Sequence, residues 1–210
     1  MQVLPMSPET WGLAREAIRR GGLVVFPTDT VYGVACDPYN VSAINRLYLA
    51  KSRDRLKALP LLLAGPDAIT KVASEVPLAA ARLAAQFWPG ALTLVVPRAA
   101  GLPAELGGGD SIALRVPDHD ELRDFLQICG GALATSSANL SGEPDALTAA
   151  QAAGYLGHHA ALVVDGGRTL GGVPSTVVNC TVEPPAILRQ GAISAESIEY
   201  VLGLHPEQDA

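Results

Sequence analysis

Apolar positions recur along the chain with helical spacing in some segments and as short runs in others. The first helix begins at Ser7-Pro8-Glu9, which combines a capping hydroxyl, a proline at the first helical position and an acidic first turn. Trp11, Ala14 and Ile18 then recur at helical spacing, and Gly21-Gly22 ends the helix. The same signals predict further helices at 41–50, 78–87 and 118–126, after Thr148, and from Ser194 or Ala195.

Short apolar runs bounded by turn residues predict the strands. They lie at 23–26, 59–64, 92–96, 112–116, 132–135, 162–164, 176–180 and 186–188. Helices and strands are interleaved without a strict βαβ repeat, which predicts an α/β fold with an open, twisted, mixed sheet flanked by helices. No repeat or linker interrupts this pattern, so 1–210 is expected to be a single domain, with disorder at most in 205–210.

Composition and charge narrow the class of protein. Hydrophobic residues make up 49% of the chain and charged residues only 17%, which is ample for a continuous core. A net charge of −6 argues against a general nucleic-acid coat protein, because such proteins bind through a broad cationic surface. Three widely spaced cysteines without a CxxC pair are expected to be free thiols. No secretory signal and no apolar run of ~20 residues is visible, so a cytoplasmic protein without membrane contact is predicted.

The chemistry-bearing residues do not follow the common nucleotide or hydrolase motifs. There is no GxxxxGK[ST] loop, no complete GxGxxG and no GxSxG, and the histidines lack metal-ligand spacing, so no metal site of the protein is predicted. Four cations instead fall between Lys51 and Lys57, and Ser137-Ala-Asn139 lies far downstream. These segments are candidates for the two walls of an anion site, since lysine offers a point charge and arginine a planar fork. A solvated loop and an ordinary polar turn are the alternatives.

Arg115 ends an otherwise apolar strand and requires a partner. A charged side chain is costly to bury unless it is paired, so either a ligand carboxylate or an internal acid must neutralise it. Asp110 and Asp118 are the internal candidates.

These strings resemble the YrdC-type threonylcarbamoyl-AMP synthases, from about Gly21 to Ser194. The resemblance also rests on four further strings: Pro27-Thr-Asp-Thr-Val-Tyr-Gly33, Trp88-Pro-Gly90, Ser175-Thr-Val-Val178 and Arg189-Gln-Gly191. It implies an open sheet around a large concave cleft, and synthesis of L-threonylcarbamoyladenylate from L-threonine, bicarbonate and ATP. Magnesium is expected with the triphosphate, and a tRNA threonylcarbamoyl transferase complex is expected to receive the product. Only 21 residues follow Arg189, so no additional C-terminal domain is expected.

The resemblance also assigns residue roles. ATP is expected to contact Lys51, Arg53, Lys57, Ser111, Ser137, Asn139 and Arg189, of which Lys51 and Arg53 are the catalytic pair. L-threonine is expected to contact Thr30, Arg115, Thr135 and Ser175, in a pocket shaped by Thr28 and Tyr32. Taken alone, Arg189 could equally be a surface arginine, and 175–178 a plain strand start.

Three positions depart from the family pattern, and two other functions stay open. Asp54 replaces a common proline, Leu62 replaces a threonine-contacting histidine of some members, and Asn179 replaces a frequent aspartate. The first and third changes could weaken cation or metal handling, and the second leaves the threonine contacts less complete. The alternatives are an RNA-binding module gripping tRNA or double-stranded RNA through the Lys51–Lys57 cluster, and a carbamoyl-transfer paralogue.

Overall fold

The computed structural model of the protein describes residues 1–169 and 173–204, and the predicted disorder at 205–210 lies outside them. Within the described residues there are ten strands: β1 (Gln2–Pro5), β2 (Val24–Pro27), β3 (Tyr32–Cys36), β4 (Leu61–Leu63), β5 (Leu92–Pro97), β6 (Ser111–Arg115), β7 (Ala132–Ser137), β8 (Leu162–Asp165), β9 (Thr176–Asn179) and β10 (Ala186–Arg189). Seven α-helices accompany them: α1 (Pro8–Arg19), α2 (Val41–Ala50), α3 (Ile69–Val72), α4 (Leu78–Phe87), α5 (Asp120–Ile128), α6 (Ala149–Leu156) and α7 (Ala195–Leu202).

All ten strands join one mixed sheet. Their order is β1-β8-β2-β3-β7-β4-β6-β5-β9-β10, with parallel pairs at β1/β8, β2/β8, β4/β6 and β5/β9 and antiparallel pairs elsewhere. The two end strands do not pair with each other, so the sheet is open. The predicted α/β class with an open mixed sheet flanked by helices is confirmed.

Alternating side chains give the sheet two core layers. In β4, Leu62 packs with α1 and α5, whereas Leu61 and Leu63 face the larger layer that includes α2, α4 and α6. This separation follows from the two-residue period of a strand, which sends neighbouring side chains to opposite faces. Within the described chain, no helix combines the length and apolar character required to cross a bilayer.

The predicted elements are largely present, with four corrections, one of which is the four-residue helix α3, which was not predicted. Strands β1 and β3 were not predicted: β1 is a mostly exposed strand at the end of the sheet, and β3 starts directly after a polar turn. Helix α5 begins at Asp120 and its N-cap is His119 rather than the predicted Asp118, because the His119 side chain accepts the hydrogen bond of the Leu122 amide (3.4 Å). Asp118 instead pairs with Arg123 at 3.7 Å.

Candidate active site

One cavity gathers most of the predicted site residues. It is a cleft of about 340 Å³ that is open to solvent, and its walls come from β3, β4, β5, β6, β7, β9 and β10 and the loops beside them. The predicted residues that line it are Thr28, Thr30, Tyr32, Arg53, Arg115, Thr135, Ser137, Ser175 and Arg189. Four predicted residues do not line it: Lys51, Lys57, Ser111 and Asn139.

Lys51 lies beneath the cavity wall rather than on its surface. Its side chain is 1% exposed, and its ammonium donates to the Ser137 carbonyl, to the Asn139 carbonyl (2.5 Å) and to the Asn139 side-chain oxygen (3.2 Å). These bonds use all three N–H donors of a lysine. Burial, helped by the nearby Arg53 charge and opposed by Asp145, lowers the pKa of Lys51 to about 8. Lys51 therefore fastens the loop that follows β7.

The loop after β7 is tied together by its own side chains. The Ser137 hydroxyl donates to the Asn139 side-chain oxygen at 2.5 Å, and the Asn139 amide nitrogen donates to the Glu143 carbonyl at 2.6 Å. Asn139 is buried, so Ser137 is the member of the pair that reaches the cavity. The predicted Ser-x-Asn string is thus a fixed structural unit with one hydroxyl presented to a ligand.

Arg53 is aimed into the cavity by the turn that ends α2. Ser52 has a φ of +47°, a left-handed conformation that a non-glycine residue adopts rarely. The Arg53 guanidinium then donates to the Lys57 and Ala58 carbonyls, each at 2.9 Å. Burial lowers the pKa of Arg53. Lys57 contributes its carbonyl to this arrangement, while its own side chain is exposed.

Arg115 has an internal partner that the sequence did not reveal. Its guanidinium pairs with Asp29 at 2.6 Å and also donates to the Gly90 carbonyl (2.9 Å) and the Thr30 hydroxyl (3.2 Å). The predicted partner acids Asp110 and Asp118 were therefore wrong. Three of the five guanidinium N–H groups are engaged, which leaves two for a ligand in the cavity that the side chain lines.

The Asp29 carboxylate is held behind Arg115 and is only partly satisfied. One oxygen receives the Arg115 bond, and the other is buried without a hydrogen-bond partner among the described residues. The signal that could have revealed this pair is the position of Asp29 between two threonines of the 27–33 string.

A second group of hydroxyls and cations faces Arg115 from the β5–β9 side. The Thr93 and Ser175 hydroxyls are 2.7 Å apart, and the Arg189 guanidinium donates to the Ser175 hydroxyl (3.1 Å) and carbonyl (2.9 Å). Burial lowers the pKa of Arg189, and the Arg115 charge acts in the same direction. Arg189 is exposed, but its hydrogen bonds to Ser175 fix it at the cavity wall. Thr93 lines the cavity and was missed, because a single threonine in an apolar strand gives no signal of its own.

The remaining predicted residues are fixed by local bonds. The Thr28 and Thr30 hydroxyls are 3.0 Å apart, and Thr28 also donates to the Val31 carbonyl at 2.7 Å. Thr135 donates to the Pro60 carbonyl at 3.2 Å. Tyr32 donates to the Gly167 carbonyl at 2.7 Å. These contacts fix the hydroxyl-bearing side chains of four residues that line the cavity.

The cavity is cationic although the whole chain is acidic. Arg53, Arg115 and Arg189 line it, and Asp145 is the only carboxylate among its described lining residues. Among the residues that the structure describes, no three His, Cys, Asp or Glu side chains come together as a metal site would require. The arrangement suits a ligand with several negative charges, such as a carboxylate together with phosphates.

Of the three residues that depart from the family pattern, two form local turns and one lines the cavity. Asp54 accepts the Leu56 amide at 2.9 Å, and the Asn179 side chain accepts the Thr181 amide and hydroxyl at 2.9 and 2.7 Å, so both shape local turns. Leu62, in contrast, lines the cavity.

A second cavity of about 350 Å³ lies at the other end of β3 and β7. It is lined by residues such as Arg15, Lys71 and Cys129 and contains none of the predicted site residues. The first cavity is accordingly the candidate active site.

The comparison with protein families identifies the chain. The Sua5/YciO/YrdC family model, described as "Telomere recombination", matches residues 16–191. The chain belongs to the Sua5/YciO/YrdC family. The resemblance inferred from the sequence is therefore confirmed.

Curated relatives of this Sua5/YciO/YrdC chain share one name. The threonylcarbamoyl-AMP synthase of Pyrococcus abyssi is 37% identical over 204 residues, which cover 94% of this chain and 60% of the relative. The protein of that name from Bacillus subtilis is 38% identical, over 90% of this chain and 56% of the relative. A putative threonylcarbamoyl-AMP synthase of Mycobacterium tuberculosis is 40% identical, over 90% of this chain and 87% of the relative.

Solved structures show the same fold. The structure of P. abyssi Sua5 complexed with L-threonine matches with a TM-score of 0.92 and 35% identity, covering 97% of this chain and 61% of that one. Escherichia coli YciO matches with a TM-score of 0.84 over 94% of this chain and 98% of its own, and at 23% identity this likeness concerns the fold alone. The Sua5/YciO/YrdC chain described here spans about 60% of the length of the P. abyssi relative.

Proposed function

We propose that the protein is an ATP-dependent L-threonylcarbamoyladenylate synthase, which makes threonylcarbamoyl-AMP and pyrophosphate from L-threonine, bicarbonate and ATP. The observation that carries the proposal is the set of three arginines and clustered hydroxyls in one cavity. Relatives that carry the name of this activity support it, and so does the close match to a Sua5 structure with L-threonine.

The threonine half of the proposed site is centred on Arg115. The two free N–H groups of Arg115 would bind the substrate carboxylate as a fork, the strong geometry for this pair. Thr30, Thr135 and Ser175 supply hydroxyl groups for the polar atoms of the amino acid, and Thr93 adds another beside Ser175.

The nucleotide half is assigned to the cations and hydroxyl on the other walls. Arg53 and Arg189 would bind phosphate oxygens. The Ser137 hydroxyl donates its proton to Asn139, so it would accept a hydrogen bond from the nucleotide. Lys51 and Asn139 act on this half by fixing the loop that carries Ser137. Lys57 and Ser111 are assigned to the outer part of the nucleotide, since neither lines the cavity itself.

The proposed reaction needs position and charge rather than a covalent nucleophile. The threonine amine attacks the bicarbonate carbon, a C–N bond forms and water leaves, which yields a carbamate. A carbamate oxygen then attacks the α-phosphorus, and the bond from that phosphorus to the pyrophosphate oxygen breaks. The arginines hold both substrates in the cavity and offset the negative charge that develops on the phosphate oxygens.

Magnesium is assigned to the triphosphate rather than to a protein site. Mg²⁺ prefers oxygen ligands and keeps several waters when it is bound with phosphates. Asp145 is the carboxylate that could contact such a hydrated ion at the cavity wall.

The product is a reactive mixed anhydride that requires a second enzyme to use it. We assign that step to a tRNA threonylcarbamoyl transferase complex, with a tRNA contact as a further possibility, and place the reaction in the cytoplasm. The three cysteines are free, which suits a reducing compartment.

Pyrophosphate release by the purified protein tests the proposal. Release is expected only when ATP, bicarbonate and L-threonine are all present, and it should fall at least 100-fold in Arg115→Ala, because the carboxylate loses its partner. Arg82→Ala is the matched control, since Arg82 is an exposed arginine on α4 that does not line the cavity. Release that does not depend on threonine would refute the assignment.

A further inference from the structure

Leu62 is the immediate neighbour of Arg115 across the sheet. The register of the parallel pair β4/β6 places Leu62 opposite Arg115, and both side chains line the cavity. Leu62 is only 7% exposed, so most of its side chain is packed in the core. The small part that remains accessible faces the cavity. Paired residues on adjacent strands lie about 5 Å apart, within reach of one small ligand.

The other side of Arg115 is polar. Strand β5 pairs with β6 there, and its Thr93 lines the cavity with the hydroxyl 2.7 Å from that of Ser175. A ligand whose carboxylate binds Arg115 thus meets a leucine towards β4 and a pair of hydroxyls towards β9. Such walls fit a side chain that carries one methyl group and one hydroxyl group on the same carbon.

We propose that Leu62 is a specificity-determining residue, which contacts the methyl group of the bound amino acid and makes the site prefer threonine to serine. The Thr93–Ser175 pair receives the hydroxyl and disfavours valine, which has no hydroxyl. This inference rests on the proposed function, because it takes the carboxylate of an amino acid to bind Arg115.

The expected size of the effect follows from the cost of leaving apolar surface unfilled. One methyl group in an apolar pocket gives roughly 10- to 200-fold discrimination. Removing the Leu62 side chain beyond its β-carbon should therefore take most of the threonine-over-serine preference away.

Equilibrium binding of threonine, serine and valine to the purified protein tests this by calorimetry, in wild type and Leu62→Ala. The variant is expected to bind threonine and valine each about tenfold more weakly and serine with little change. The threonine/serine ratio then falls about tenfold, while the threonine/valine ratio stays constant. Leu62→Met, which keeps the apolar volume, should retain both ratios.

Leu133→Ala controls for general damage to this part of the sheet. Leu133 is the β7 partner of Leu62 and is fully buried in the same core layer, but it does not line the cavity. It should lower stability without altering either ratio. An unchanged threonine/serine ratio in Leu62→Ala, or equal binding of the two amino acids by wild type, would overturn the inference. Selective threonine binding without pyrophosphate release would instead refute the proposed function and leave the role of Leu62 intact.

Discussion

At the scale of single residues, the cations in and beside the cavity differ in their hydrogen-bond partners and in their burial. Lys51 is fully enclosed and holds the loop that carries Ser137, whereas Arg115 is itself held by Asp29, Thr30 and Gly90. The sequence made the Lys51–Lys57 and 137–139 segments candidates for one anion site, and the family resemblance assigned Arg115 to the carboxylate of the amino acid. The sequence could not predict that Lys51 is turned inward or that Asp29 pairs with Arg115, because both depend on contacts between residues about 86 positions apart.

Replacing Asp29 should impair threonine binding selectively. In Asp29→Ala the Arg115 guanidinium loses its charged partner, and a small displacement of a positioning group can cost up to ~100-fold. We expect the KM for threonine to rise 10- to 100-fold with little change in the KM for ATP, and Asp29→Asn to recover part of the loss by keeping an acceptor. Steady-state kinetics with each substrate varied measures this. An equal rise for both substrates would contradict the positioning role, and Asp118→Asn is the surface control.

The ionisation of Lys51 should appear in the pH dependence of activity. Its pKa is lowered to about 8, so the ammonium form predominates below that pH and the neutral amine above it. A neutral amine has two N–H donors for the three acceptors of the loop, so kcat/KM for ATP should decline as the pH rises through about 8.

The control for that profile is Lys51→Arg, which stays charged over the whole range. Its activity can be lower throughout, but it should lack the inflection near pH 8. A wild-type profile that is level from pH 7 to 9 would show that the charge of Lys51 does not support the site.

At the scale of elements, the site depends on how strands and turns meet. Most strands were predictable because short apolar runs rich in Val, Leu and Ile are typical of buried strands. Strand β3 was not, since it starts directly after a polar turn and Gly33 shortens its uninterrupted apolar run to residues 34–36. The pairing of β4 with β6, which brings Leu62 beside Arg115, is a long-range register that no local pattern specifies.

At Gly191, adding a single methyl group should disturb the backbone at the start of β9. A Cβ there would lie 2.3 Å from the Pro174 carbonyl oxygen and 2.4 Å from backbone atoms of Ser175 and Thr176. Gly191→Ala should therefore displace the start of β9, weaken the Arg189–Ser175 contact and lower the free energy of unfolding by about 1–3 kcal/mol. Denaturant unfolding and the KM for ATP, which should rise, are the measurements.

Gly12→Ala is the matched control, and it is expected to raise the free energy of unfolding rather than lower it. Gly12 lies in α1 and nothing approaches its Cβ position within 4 Å. Alanine is the better helix former, so the variant should gain about 0.5–1 kcal/mol. A Gly191→Ala variant as stable as wild type would mean that the segment relaxes without cost.

At the scale of the whole molecule, charge separates the cavity from the rest of the chain. The net charge of −6 coexists with three arginines around one cavity. The Lys51–Lys57 cluster is weaker as an RNA surface than its composition indicated, because Lys51 is buried and Arg55 is engaged with Asn45 (2.6 Å) and the Tyr48 ring. The folded arrangement thus favours a small anionic ligand over a long polyanion.

Binding to double-stranded RNA should accordingly be weak. At about 150 mM salt we expect a Kd weaker than ~10⁻⁴ M, the weak limit of non-specific nucleic-acid binding. A fluorescence anisotropy titration at several salt concentrations provides the measurement. Micromolar binding that survives Arg115→Ala would support the RNA-binding alternative instead.

The central claim is that carbon from bicarbonate joins threonine to the nucleotide in this cavity. Mass spectrometry of the nucleotide products formed with ¹³C-bicarbonate, L-threonine and ATP tests it most directly. The account predicts an AMP adduct that contains threonine and one labelled carbon, formed together with an equal amount of pyrophosphate and absent in Arg115→Ala. An unlabelled threonine–AMP adduct would show activation of the amino acid without carboxylation, and that result, or the absence of any threonine-containing nucleotide, would contradict the account.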